Sequence, residues 1–120
     1  MTDIAITEQF FSEFMILSKK AFTYGLYKSA YHSLKSALDC ARLLDNEARY
    51  ASIRDLAVEQ VQWIDLHLPE NMLSSQSALS RRNGVNFYGS LILQSTKYIQ
   101  YIADRKRRDE QLKRMEAGIR

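Results

Sequence analysis

Apolar side chains return every three to four residues along most of the chain, the spacing of helices that each bury one face. The first such segment covers about residues 7–23. Phe10, Phe14, Leu17 and Ala21 stand at i, i+4, i+7 and i+11, and Phe11, Met15, Ser18 and Phe22 follow one step behind. Together they predict one broad stripe on a single helix. Tyr24-Gly25 stops it, because glycine takes the left-handed cap conformation at no steric cost. The second segment, about 26–45, keeps the helical period through Tyr27, Ala30, Tyr31, Leu34, Ala37, Leu38, Ala41 and Leu44. Small residues alternate with large ones there, so a neighbouring helix can approach closely. With only a glycine corner between them, the two helices are expected to form an antiparallel hairpin.

The third segment, about 47–68, carries Tyr50, Ile53, Ala57, Val61, Ile64 and Leu68 on a narrow stripe, with Leu56 and Trp63 on another face. Trp63 is expected to pack against a neighbouring helix, as tryptophan mostly does. Pro69 ends the segment, since the residue before proline is driven out of helical geometry. Residues 70–86, rich in serine and asparagine, read as a connector with a short helix around 73–82. A last helix spans about 86–117. Between Phe87 and Ile102 its apolar residues cover roughly half of the circumference at about 100° per residue. Such a helix either sits between several neighbours or buries part of its face against a second copy, which predicts a homodimer through residues 87–102. The fold is therefore expected to be all-α: an antiparallel hairpin, a third helix across it, and a long C-terminal helix, arranged as a four-helix bundle or in the manner described next.

Residues 11–44 resemble one unit of a tetratricopeptide repeat, a helix–turn–helix of about 34 residues. Phe14 and Leu17 stand where the first helix of that repeat carries its large residues. Gly25 and Tyr27 match the turn, and Ala30, Leu34, Ala37 and Leu38 match the small-large pattern of the second helix. Ser18 and Ala21 depart from the pattern, no proline closes the unit near Arg42, and residues 45–78 do not repeat it. The resemblance implies a surface for another protein, lined from the first helix by Ser12, Met15, Lys19 and Phe22. The lysine-plus-asparagine pair that clamps an acidic chain terminus is missing from these positions.

Charge changes the picture only at one end. The net charge is +3, yet residues 105–120 hold seven Lys/Arg against three Asp/Glu, so the basic character belongs to the tail. The chain is accordingly divided into a helical domain, 1–104, and a basic helical tail, 105–120, whose apolar pattern thins to Leu112, Met115 and Ile119. Arg105, Arg107, Arg108, Lys113 and Arg114 could meet nucleic-acid phosphates, giving a salt-sensitive affinity without sequence preference. No aromatic residue interleaves with them, so a solvated helix end is the plainer reading. Composition is that of a globular chain, with 46% hydrophobic and 26% charged residues. The longest apolar run, Phe14 to Leu17, is far short of the roughly 18 residues of a membrane span. No membrane partner is expected, and the location expected is cytoplasmic.

Candidate chemistry is sparse. One cysteine, Cys40, excludes an internal disulfide and is expected to be a buried inert thiol. His32 and His67 lack ligand partners at i+3 or i+4 on a continuous helix, so no metal is expected. No serine sits in a glycine-flanked elbow, and no phosphate-binding glycine loop is present, so no cofactor is expected either. The sequence thus points to a non-catalytic protein-interaction or scaffolding module, with nucleic-acid binding through the tail as the alternative.

Overall fold

In the computed structural model, residues 2–84 and 86–118 are described; Ile119, expected to prolong the tail's thin apolar pattern, lies outside them. Five helices and no strand are found among the described residues. The first, α1, spans Asp3–Thr23 and starts earlier than its apolar stripe suggests. Thr2 explains this: its hydroxyl accepts from the Ala5 amide at 3.1 Å, and Asp3 places a negative charge at the positive helix end. Gly25, at φ +78°, turns the chain, and the Leu26 amide donates back to the Ala21 carbonyl.

The second helix, α2, spans Tyr27–Leu44, and α3 spans Glu47–His67. Between them Asp45 adopts a left-handed conformation, and the Asn46 side chain accepts from the Ala48 and Arg49 amides at 2.9 and 3.4 Å. Beyond Pro69 the connector is gripped by one carboxylate. Asp65 accepts from the Ser74 hydroxyl, the Ser75 amide and the Ser75 hydroxyl at 2.7, 2.8 and 2.5 Å. A single short helix, α4, Ala78–Asn83, follows with Ser77 as its cap. The long α5 runs Phe87–Gly118. Asn86 caps it by accepting from the Gly89 amide at 2.7 Å, and a Cβ on residue 89 would stand only 2.6 Å from that same Asn86 oxygen.

The third helix does not cross the first hairpin. It runs parallel to α1: Glu8 pairs with Arg49, Ser18 meets Gln60 and Phe22 meets Trp63, each pair 41 or 42 residues apart. Meanwhile α3 is antiparallel to α5, as Tyr50 stacks on Tyr98 and Gln60 meets Tyr88. The chain thus forms two stacked antiparallel hairpins, α1/α2 and α3/α5, with like helices parallel. The narrow stripe of α3 dictates this, because Tyr50, Ile53, Ala57, Val61 and Ile64 are all buried between α2 and α5. Ala30, Ala37 and Ala41 are fully buried and let the helices approach.

The wide face of α5 is largely covered within the chain. Tyr88, Leu91 and Ile102 are buried, and Ile92, Tyr98 and Ile99 pack on the same core, so α5 sits among several neighbours; Phe87, Leu93 and Tyr101 remain exposed. On α1 the broad stripe divides. Phe11, Ser18 and Ala21 are buried, whereas Phe10 and Leu17 are each 49% exposed, because α2 covers only the sector next to theirs.

One chain of polar groups runs through the core. The Tyr88 hydroxyl donates to Gln60 Oε1 at 2.7 Å, Gln60 Nε2 donates to Ser18 Oγ at 3.0 Å, and Ser18 Oγ donates to the Ala30 carbonyl at 2.7 Å. All four helices of the two hairpins are joined by it, and each group has a partner, as burial requires.

Candidate functional site

The parallel helices α1 and α3 leave a groove of about 340 Å³ between them, lined by Lys19, Phe22 and Thr23 from one side and Leu56, Glu59, Gln60 and Trp63 from the other. Two of the four α1 positions expected to face a partner, Lys19 and Phe22, line it, and Ser12 does not. Nor does Met15; it packs half-buried against the hydrophobic core one turn below. The spacing explains the difference. Lys19 projects from the α1 edge that α3 leaves open, while Met15 lies closer to the buried sector.

Trp63 departs from expectation. It is 38% exposed and forms part of the groove wall instead of packing fully inside. Its indole is held in place by three neighbours. Phe22 meets it edge-on with ring centroids 5.5 Å apart, Tyr27 lies tilted at 5.5 Å, and His67 stacks on it at 4.4 Å. His67 in turn places Nδ1 3.0 Å from the Trp63 carbonyl, at the C-terminal end of α3. A rigid, half-open indole with settled neighbours is the kind of group that anchors a partner at low entropic cost. Lys19 and Glu59 supply one charge of each sign, and neither makes an ion pair among the described residues. From the sequence, a partner surface is expected only on the α1 side of this groove, while on the α3 side Leu56 and Trp63 are read as a pair that packs inward more often than it forms a partner patch. The signal was present in Leu56 and Trp63, seven residues apart on a face distinct from the core stripe.

The basic tail is less free than its sequence implies. Arg105 binds Asp45 at 2.5 Å, Lys106 binds Glu47 at 3.4 Å, and Arg107 pairs with Asp104. The Asp45 carboxylate raises the pKa of the Arg105 guanidinium, which stays charged. Arg108, Lys113 and Arg114 are exposed and make no ion pair among the described residues. The first turn of the tail is therefore fastened to the corner between α2 and α3, and the exposed helix beyond it carries Asp109, Glu110 and Glu116 beside Arg108, Lys113 and Arg114.

Cys40 is half-buried instead of fully buried. Desolvation, with a smaller contribution from Asp39, pushes its thiol pKa up, which favours the protonated form. Among the described residues no group of three His, Cys, Asp or Glu stands where it could hold a metal ion, and no helix is long and apolar enough to cross a membrane. Comparison with protein-family models, curated proteins and solved structures finds no match for this chain.

Proposed function

We propose that this chain is a non-catalytic binding module that holds a segment of another protein in the groove between α1 and α3. The observation that carries this reading is the half-open Trp63 indole, braced by Phe22, Tyr27 and His67 and flanked by Lys19 and Glu59. Such a wall favours an apolar side chain of the partner, with a carboxylate beside it for Lys19 or a cation for Glu59. Stacked hairpins with like helices parallel are also the arrangement in which tetratricopeptide units build a groove from their first helices, so the likeness of residues 11–44 to such a unit supports the same reading.

The test is capture by immobilised protein from extract with and without nuclease treatment, compared with Trp63→Ala and Lys19→Glu. A partner retained by the parent chain and lost with either variant supports the groove. A nuclease-sensitive partner that both variants still retain, and that is lost on replacing Arg108, Lys113 and Arg114 with glutamate, transfers the function to the tail and to nucleic acid. The ion pairs of Arg105, Lys106 and Arg107 make that the lesser reading, since three of the tail's cations already have carboxylate partners.

A further inference from the structure

On the side of the molecule formed by α2, α4 and α5 lies a second cavity of about 230 Å³, separate from the α1/α3 groove. Tyr31 and Lys35, one turn apart on α2, stand on one side of it, and Asn83, Phe87 and Ser90 on the other, with Met72 from the connector closing an edge. Tyr31 is only 6% exposed, yet its hydroxyl has no hydrogen-bond partner among the described residues, and it is not among the polar atoms wholly shut off from solvent. Its ring is fixed by Tyr88 at 5.3 Å and Phe87 at 5.6 Å, so the hydroxyl cannot swing away to find a partner elsewhere. A buried tyrosine ordinarily pairs its hydroxyl, as Tyr88 does with Gln60. The cavity is where the Tyr31 hydroxyl is left to find one.

Of the other polar side chains in the lining, Ser80 is engaged with the Ser74 carbonyl and Asn86 with the Leu73 carbonyl and the Gly89 amide, while Lys35, Asn83 and Ser90 keep donors to spare. Lys35 makes no ion pair and the Asn83 amide no hydrogen bond among the described residues. Ser90 Oγ accepts from Gln94 Nε2 at 3.2 Å, which leaves its own O–H to donate. No carboxylate lines the cavity. Residues 71–103 contain no Asp or Glu and hold Arg81, Arg82 and Lys97; on α2, Lys28 and Lys35 precede Asp39, which stands one turn beyond Lys35 and outside the lining. One exposed cation and several neutral donors in a lining without a carboxylate suit a single negative charge, and Met72 and Phe87 suit an apolar body beside it.

We propose that this cavity is a binding site for a small monocarboxylate with a compact apolar body, the carboxylate meeting Lys35 and the Tyr31 hydroxyl. A dianion such as a phosphate monoester would leave one charge without a partner inside the cavity. The size admits a one-ring or short branched acid and not a nucleotide.

The proposal is tested by amide chemical-shift titration of the full chain with benzoate, phenylacetate and 4-methylpentanoate, each against its neutral carboxamide, and with benzylammonium. At least one acid should give saturable shifts at Tyr31, Lys35, Asn83 and Ser90, bind about tenfold more tightly than its amide, and weaken by a similar factor in Lys35→Met. Tyr31→Phe should weaken the acid several-fold without changing the fold, because its hydroxyl makes no internal bond. Absence of saturable shifts with all three acids at millimolar concentration overturns the proposal. So does equal affinity for acid and amide, tighter binding of benzylammonium, or an unchanged affinity in Lys35→Met. Inorganic phosphate shifting the same amides more tightly than any acid would replace the monocarboxylate with a phosphate ligand and overturn it as well. None of these outcomes bears on the α1/α3 groove.

Discussion

Gln60 sits in the middle of α3 with aliphatic residues on either side along the buried face, and its amide joins Ser18 to Tyr88. Replacing it with leucine keeps the volume but strands the Tyr88 hydroxyl, a loss of about 1–3 kcal/mol in urea unfolding. Tyr88→Phe strands Gln60 Oε1 and costs a similar amount, and the double variant should cost less than the sum, because either change alone already breaks the link. The same tyrosine gives the fold an alkaline limit. Burial raises the pKa of Tyr88 well above that of a free phenol, and burial raises those of Tyr31 and Tyr50 in the same direction. A raised folded-state pKa means that the stabilisation is complete below the unfolded value, about 10 for tyrosine, and is lost as pH rises from there toward the folded value. Unfolding midpoints should therefore be flat across neutral pH and fall above about pH 10, less steeply in Tyr88→Phe. Periodicity showed that Ser18 and Tyr88 face inward but not that they share a partner, because a helical repeat reports direction and carries no information about which groups meet.

At the scale of elements, helix ends were legible where a glycine or proline marked them. Gly25, Pro69 and Asn83-Gly84 each stand at or beside a break in the structure. Gly25→Ala forces a side chain into the left-handed region at φ +78° and should lower stability by about 1–2 kcal/mol, read as a drop in melting temperature. The start of α1 at Asp3 was missed because Thr2 is a cap without an apolar neighbour, and the period had been counted from the first large side chain. The orientation of α3 was not legible at all. It depends on which stripe meets which, and the face carrying buried Leu56 and half-open Trp63 did not tell that α1 lies parallel alongside it. The connector was readable as a loop with a short helix, which the structure confines to α4; the order of the loop comes from Asp65, an acid whose partners lie nine and ten residues away. Asp65→Ala should leave the helices intact but speed hydrogen exchange at the Ser75 amide by at least tenfold, since that amide loses its acceptor.

The whole molecule is longer than its residue count suggests. Its radius of gyration is 17.7 Å and its extents are 63 × 38 × 19 Å, against about 14 Å for a compact chain of this length. The excess belongs to α5, whose end is exposed from Lys106 onward. Small-angle scattering should return a value near 17.7 Å, and a chain ending at Asp104 should be distinctly more compact with little change in unfolding midpoint, because the ion pairs it loses are exposed ones. A scattering radius already close to that of a compact chain would mean that the end of α5 folds back.

The outer flank of α1 has a different bearing. Ile6, Phe10 and Leu17 form a greasy strip on the side away from α3, with Glu13 beside it. Assemblies made by piling up helical pairs finish with a hydrophilic end-plate, and this pile has none at its first layer. Glutamate in place of both Phe10 and Leu17 should raise the protein concentration at which turbidity sets in, at little cost to cooperativity. Soldering another helical pair onto that flank should do the opposite of dilution: it would seal the strip and lengthen the pile by one storey, making the molecule a starting piece for built arrays.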